Sequence, residues 1–295
     1  MQQVAIFDET RKIKFEDLQD VAKAIQQQVS TDLKPAWGVD AEIVAYSRFD
    51  LIPYYAWKVT MMDKLDIDVY GYHFIDDNGK PFAVLKYRDD WTLTLSHEIC
   101  ELLCDPYGNR VLTSENFFCC ADCAEGHGEC ETIVPAEVNG VKEVLVEVAD
   151  PSQAPNFGYY ITVGNRKVLV SDFYYPSYFS DTRAIKGKKY SHTGAISRPK
   201  QILEGGYVSF RNRAGEWWQA FKVEGKLIFR KVGSKKETLN SQDIMTILTY
   251  SLYALGLTIV TLILTSIFRK KSNEIPLQNT YQGSSLHKND RAMVA

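Results

Sequence analysis

The sequence has no cysteine outside one short stretch and no long run of basic residues. All six cysteines of the 295-residue chain lie between Cys100 and Cys130. A secreted disulfide scaffold spreads its cysteines more widely, so this clustering favours metal binding in a reducing compartment. The net charge of −3 and the missing basic stretch argue against nucleic acid as a partner.

A long apolar run is missing from the start of the chain, and Met1–Phe7 is too short for a signal peptide. Such a run lies near the other end, where Ile244–Phe268 contains no charged residue. As a helix rising ~1.5 Å per residue, it would cross a ~30 Å hydrocarbon core with some tilt. The sequence therefore predicts a transmembrane helix at 244–268, in contact with the lipid bilayer, and a polar, disordered tail at 269–295.

Two signals on membrane orientation conflict. Arg269, Lys270 and Lys271 directly follow the apolar run and favour a cytoplasmic C-terminus by the positive-inside rule. The missing signal peptide favours a cytoplasmic N-terminal domain instead. We therefore predict a single-pass membrane protein with a C-terminal anchor and leave the side of the membrane open.

Strand and helix patterns alternate over residues 1–240, which predicts one soluble α+β domain. Helical spacing predicts helices at Phe15–Val29 and Trp91–Cys104, with Asp90 as the N-cap of the second. Glu143–Val148 is compatible with either a strand or a short helix. The predicted strands are Gln3–Phe7, Ala41–Tyr46, Ile52–Val59, Asp66–Phe74, Pro81–Tyr87, Tyr159–Val163, Lys167–Val170, Tyr207–Arg211, Trp217–Val223 and Leu227–Lys231.

The second predicted helix carries the pattern His97-Glu98-x-x-Glu101. His97 and Glu101 are four residues apart, so both side chains leave one face of the helix and can hold one Zn²⁺ ion. In the related HExxH pattern, the glutamate after the first histidine is the general base acting on zinc-bound water, which is the catalytic role we predict for Glu98. Glu101 replaces the second histidine of that pattern, and zinc accepts carboxylate oxygen at ~2.0–2.2 Å.

A catalytic zinc site needs a third protein ligand, for which several residues are candidates. Glu147, on a separate segment, is the predicted third ligand, and Asp150 is expected to orient His97 through its other ring nitrogen. Asp105 lies ~12 Å along the helix from His97, so we expect Asp105 to cap the helix or to support a ligand without binding the metal itself. Either Asp150 or Asp105 is an alternate ligand. His192 is a further candidate, as ligand or oxyanion donor, although a surface histidine in a loop rich in glycine and lysine explains it better.

A cysteine-rich loop is predicted at residues 117–131. Three thiolates and one imidazole suit a tetrahedral structural zinc ion, with free thiols or disulfides as alternatives. The four predicted ligands are Cys120, Cys123, His127 and Cys130.

The run Thr94–Pro106 resembles a family of uncharacterised zincin-like proteins of bacteria and phages, which read roughly S-H-E-x-x-E-x-x-x-D-P. The resemblance covers about residues 10 to 220. It implies a zincin-like mixed sheet with an active-site helix and a metal site. Further segments that look like this family are Gly71-Tyr72-His73, Glu147-Val148-Ala149-Asp150-Pro151, Val170-Ser171-Asp172-Phe173 with Pro176, and Gly205-Gly206-Tyr207.

Three functions are compatible with these features. The first is a membrane-anchored zinc-dependent hydrolase, a metallopeptidase acting on peptide or protein substrates with Glu98 as general base. The second is a catalytically inactive zincin-fold structural or binding protein, for instance in a virion membrane, which the departure from HExxH favours. The third is a partner-binding module in which the cysteine-rich loop is the only metal site.

Overall fold

A computed structural model describes residues 1–67, 69–114, 117–118, 134–180 and 189–232. Within these ranges the protein is a mixed α+β structure, and they contain no helix that is both long and apolar enough to cross a membrane. The predicted transmembrane helix and tail lie outside the described residues. The predicted cysteine-rich loop lies outside them too, except for Phe117 and Phe118.

The first sheet is mixed, with its strands in the order β2-β1-β3-β5-β4. The pairs β1/β2, β1/β3 and β3/β5 are parallel, and only β4 runs antiparallel, on β5. Tight hairpins cannot join parallel strands, so the chain crosses over between them. The strands are β1 (Gln2–Asp8), β2 (Ala41–Tyr46), β3 (Trp57–Met62), β4 (Gly71–Ile75) and β5 (Pro81–Lys86).

The crossover from β1 to β2 is helical. Helix α1 (Phe15–Gln27) buries one apolar side, a π-helical turn (Gln28–Leu33) continues it, and the short helix α2 (Lys34–Trp37) ends the segment. Gly38 follows with φ of 72°, a left-handed conformation that glycine adopts without steric cost. The helix predicted over Phe15–Val29 is regular α-helix only as far as Gln27, because the π-helical turn begins at Gln28.

Helix α3 (Trp91–Cys104) has the predicted bounds, and every residue from Ser96 to Cys104 is buried. It packs against β4 and β5 on one side and β9 on another. The prediction for Asp90 was wrong in one respect. Asp90 stands at the N-cap position, but its side chain does not cap the helix and instead pairs with Arg88 Nε at 3.2 Å.

The second sheet is antiparallel, with its strands in the order β12-β11-β10-β7-β6. A separate hairpin, β8 with β9, lies against α1 and α3. The strands are β6 (Val111–Thr113), β7 (Glu143–Leu145), β8 (Tyr159–Val163), β9 (Arg166–Val170), β10 (Tyr207–Arg211), β11 (Trp217–Val223) and β12 (Lys226–Lys231). Short 3-10 turns lie at Phe49–Leu51, Ala136–Val138, Asp150–Ser152, Pro155–Phe157 and Pro176–Phe179.

Three segments differ from their predicted form. The strand predicted at Asp66–Phe74 begins only at Gly71 and ends at Ile75. The strand predicted at Ile52–Val59 begins only at Trp57, because Pro53 forms a tight turn in which its carbonyl accepts the Ala56 N–H at 3.0 Å. The open choice for Glu143–Val148 is resolved as a strand over Glu143–Leu145. After Leu145 the chain leaves the sheet and runs toward α3, which places Glu147 and Asp150 beside that helix.

Candidate metal centre

A buried polar cluster forms where α3, β4 and the segment after β7 meet. Helix α3 contributes His97, Glu98 and Glu101, β4 contributes His73, and the segment after β7 contributes Glu147 and Asp150. The most exposed side chains of the cluster are those of Glu147, at 10%, and His97, at 8%, so the cluster is almost completely buried. Ionisable groups are rarely buried unless they pair or bind a cation.

One group of three ligand atoms is centred on His97. Its Nε2 lies 3.2 Å from Glu101 Oε2 and 3.3 Å from Asp150 Oδ1. Among the described residues, none of the three atoms has a hydrogen bond of good geometry. Burial lowers the pKa of His97, but the Glu101 charge and the contact with Asp150 outweigh it and raise the pKa well above its usual value. A proton on Nε2 or a metal ion can therefore supply the positive charge that the two carboxylates require.

The two oxygens of Glu101 have different partners. Oε1 accepts the backbone N–H of Ala149 at 3.1 Å, so Oε2 remains for the polar cluster. Burial raises the pKa of Glu101, but His97, His73 and the Ala149 N–H together hold it below the usual value. Glu101 is therefore an ionised carboxylate whose orientation is fixed by the backbone that leads to Asp150.

A second group of three ligand atoms is centred on His73. Its Nδ1 lies 4.0 Å from Glu98 Oε2 and 3.9 Å from Glu101 Oε2. Its Nε2 lies 3.0 Å from the carbonyl oxygen of Asp105. A carbonyl oxygen only accepts hydrogen bonds, so Nε2 carries the proton and Nδ1 keeps its lone pair toward the carboxylates. Burial lowers the pKa of His73, which favours this neutral form.

The remaining carboxylates are buried close to one another. Burial raises the pKa of Glu98 and of Glu147 well above the usual range, and nearby carboxylates add to this effect. Burial and the Glu101 charge raise the pKa of Asp150 to about 7. Oxygens of all three lack a hydrogen-bond partner within the described residues. Such a set of oxygens requires protons or cations as counter-charge.

The structure places Asp150, an alternate ligand in the sequence prediction, beside His97, and Glu147 beside His73. Asp150 contacts His97 through Nε2, the same nitrogen that faces Glu101, rather than the other ring nitrogen. The predicted third ligand, Glu147, lies closest to the other histidine, with Oε2 3.8 Å from His73 Nε2. The 3-10 turn that begins at Asp150 directs its carboxylate back toward α3.

Asp105 lies outside both groups and supports one of them. Its carboxylate accepts the backbone N–H groups of Asn109 at 3.1 Å and Arg110 at 2.8 Å, which closes the turn after α3. Its carbonyl oxygen holds His73. Asp105 therefore orients a potential ligand rather than offering one.

His192 lies in a different, aromatic cluster. Its ring stacks on Phe173 at 5.4 Å and lies 4.6 Å from the ring centre of Tyr159. Its Nε2 is 3.7 Å from Asp32 Oδ2, and it belongs to neither group of potential ligands. The predicted structural ligands Cys120, Cys123, His127 and Cys130 lie outside the described residues.

The residue that sequence reasoning missed as a ligand is His73. It is buried on the edge strand β4, where the alternation of the strand places it on the same face as Gly71. The segment Gly71-Tyr72-His73 was noticed only for its resemblance to a family. The alternation of buried and less buried residues in this strand could have indicated that the His73 side chain faces the helix that follows the hairpin.

Two glycines allow the segments of the site to approach. A Cβ atom at Gly71 would lie 2.3 Å from Glu98 Oε1. A Cβ atom at Gly206 would lie 2.4 Å from the carbonyl oxygen of Pro151 and 2.9 Å from that of Asp150. All three distances are shorter than the contacts that Cβ atoms make in proteins, so a larger residue would displace Glu98 or the turn that holds Asp150.

Comparison with known proteins identifies no relative: no protein-family model matches the sequence, and no curated protein or solved structure gives a significant match. The site itself supports one general statement. Two buried groups, His73 with Glu98 and Glu101, and His97 with Glu101 and Asp150, can hold a metal ion.

Proposed function

We propose that this protein is a zinc-dependent hydrolase of the metallopeptidase type, tethered to a membrane through residues 244–268. The observation that carries the proposal is the convergence of three ligand atoms in a buried site. His97 Nε2 lies 3.2 Å from Glu101 Oε2 and 3.3 Å from Asp150 Oδ1. One imidazole nitrogen and two carboxylate oxygens are ligands that zinc accepts. Three protein ligands leave a fourth position open, as catalytic zinc requires.

The reaction would depend on Glu98. Zinc bound at this site would make water more acidic and polarise a carbonyl group. Glu98 follows His97 on α3 and has a buried, unpaired Oε2, which takes the proton of the attacking water and later returns it to the leaving amine. Burial raises the pKa of Glu98, and the positive charge of a bound ion would keep its carboxylate ionised, so that it can accept a proton.

A peptide substrate has a docking edge beside this site. Within the described part of the chain, strand β4 is at the edge of the first sheet. One of its edges pairs with β5, and no described strand pairs with the other. An extended peptide can add to such an edge through main-chain hydrogen bonds. Since β4 packs on α3 and carries His73, this edge supports a zincin-like arrangement and a peptide as substrate.

The zinc content of the full-length protein tests the metal site. We expect His97→Ala to lose one zinc ion per chain relative to the wild type, because it removes the nitrogen that faces both Glu101 and Asp150. The matched control is His192→Ala, which removes a histidine that contacts Asp32 instead. Elemental analysis after dialysis measures the difference. Equal zinc content in His97→Ala and in the control would contradict zinc binding through His97, whatever metal the cysteine-rich loop binds.

Replacing Gly71 by alanine is expected to lower hydrolytic activity by about 100-fold, because a displacement of ~1 Å at a reacting group can have that effect. The added Cβ would meet Glu98 Oε1, and overpacking of this kind costs ~1–3 kcal/mol of stability. The control is Gly164→Ala, where φ is 58° and no atom lies within 4 Å of the new Cβ. That change costs ~1–2 kcal/mol through the backbone alone. Equal activity in the two variants would mean that the position of Glu98 is not critical.

A second candidate function is a non-catalytic, membrane-associated structural or binding protein, for example in a virion. The observation that favours it is the burial of the cluster, whose most exposed side chain is only 10% accessible. In that case zinc would stabilise the domain without supporting turnover. A chain that binds zinc through His97 but cleaves no member of a diverse peptide library, with or without Glu98, would support this function.

A further inference from the structure

The buried polar cluster contains more carboxylate oxygens than the first ion would use. Glu98, Glu101, Glu147 and Asp150 each have a buried oxygen without a hydrogen-bond partner of good geometry in the described residues. An ion held by His97, Glu101 and Asp150 would leave Glu98 Oε2 and Glu147 Oε2 without a partner. A buried polar atom in this position is unfavourable unless a proton or a cation reaches it. Glu98 Oε2 lies 4.0 Å from His73 Nδ1, beside the first position.

From these unpartnered oxygens and from the ligand geometry, we infer that the cluster binds a second divalent cation through His73 Nδ1, Glu98 Oε2 and Glu101 Oε2. The inference rests on the proposed function only in assigning the first ion to His97, Glu101 and Asp150. Glu101 Oε2 belongs to both groups, at 3.9 Å from His73 Nδ1 and 3.2 Å from His97 Nε2, and it would bridge the two ions.

The surroundings of His73 prepare it as a ligand. Its Nε2–H donates to the Asp105 carbonyl at 3.0 Å, which fixes the tautomer and directs the Nδ1 lone pair toward two carboxylates. Metal-bound histidines generally donate their other ring N–H to a carbonyl or carboxylate in this way. The Asp105 carboxylate in turn is held by the N–H groups of Asn109 and Arg110, so the support is rigid.

The second ion would change what Glu98 can do. With only the first ion bound, Glu98 Oε2 is free to act as the general base. With both ions bound, the same oxygen is a ligand and its lone pair is no longer available to accept a proton from water. Occupation of the second position would therefore set whether the proposed hydrolase is active, so it provides a means of regulation by cation concentration.

Titration of the metal-free, full-length protein with Mn²⁺ tests this inference. Mn²⁺ prefers carboxylate oxygen to thiolate ligands, so the cysteine-rich loop should contribute little. We expect two Mn²⁺ ions per chain by equilibrium dialysis. We also expect an exchange-coupled electron paramagnetic resonance signal, because one carboxylate oxygen bridges the ions. His73→Ala should bind one ion with an uncoupled signal, and the control His192→Ala should behave as the wild type.

A second variant guards against misfolding of His73→Ala. Glu98→Gln has nearly the same shape, removes one charge from the second position only, and should also lose the coupled signal. One uncoupled Mn²⁺ ion in the wild type, removed by His97→Ala, would overturn the second position and leave the proposed function standing. No bound Mn²⁺ in the wild type, together with no zinc that depends on His97, would overturn both.

Discussion

Replacing Glu98 by glutamine is expected to lower hydrolytic activity by ~10²–10⁴-fold while the chain still binds zinc at His97, Glu101 and Asp150. Positioned general acids and bases typically contribute a factor of this size. Glutamine keeps the shape of Glu98, which is 1% exposed and packs against Gly71, so the fold should be retained. Its amide cannot accept a proton from water at neutral pH. Initial rates on a peptide library, measured together with zinc content, test the expectation.

The control for this experiment is Glu137→Gln, an exposed glutamate that lies in a 3-10 turn outside the polar cluster. It makes the same chemical change and should retain wild-type activity and zinc. Equal turnover by Glu98→Gln and wild type, on any substrate that is cleaved, would rule out Glu98 as the base. Loss of both zinc and activity would instead assign Glu98 as a ligand of the first ion.

Removing the metal with a chelator is expected to lower the Tm of the domain by ~8–16 °C. An ion present at 1,000 times its Kd stabilises the folded state by ~4.1 kcal/mol, and each kcal/mol shifts the Tm of a 150–250-residue domain by ~2–4 °C. The physical reason is the buried set of carboxylates, which repel one another unless a cation or protons compensate them. Thermal unfolding followed by circular dichroism, with and without chelator, measures the shift.

The variants separate this effect from any contribution of the cysteine-rich loop. In His97→Ala, chelation should change the Tm by much less than in the wild type, because the nitrogen ligand of the first ion is gone. His192→Ala should show the full shift, since its histidine lies against Asp32, Phe173 and Tyr159. A wild-type Tm that does not respond to chelation would exclude a structural dependence on metal.

The local part of the fold could be predicted from the sequence. The bounds of α3 and of β2 agree with the structure, because apolar spacing and turn residues are properties of neighbouring residues. The start of the strand predicted at Ile52–Val59 was wrong, since an apolar run does not reveal that Pro53 forms a turn and that the strand begins at Trp57. The membrane helix and the cysteine-rich loop stay predictions.

The sequence by itself determined that His97, Glu98 and Glu101 share one stretch of helix, since helical geometry places residues i and i+4 on one face. Only the tertiary structure decided which other groups meet them. His73 comes from the edge strand β4, which is separated from α3 in the chain by strand β5, and Asp150 comes from the turn after β7, more than 40 residues after α3. Such contacts depend on how strands pair and pack on the helix, which the local sequence pattern does not encode.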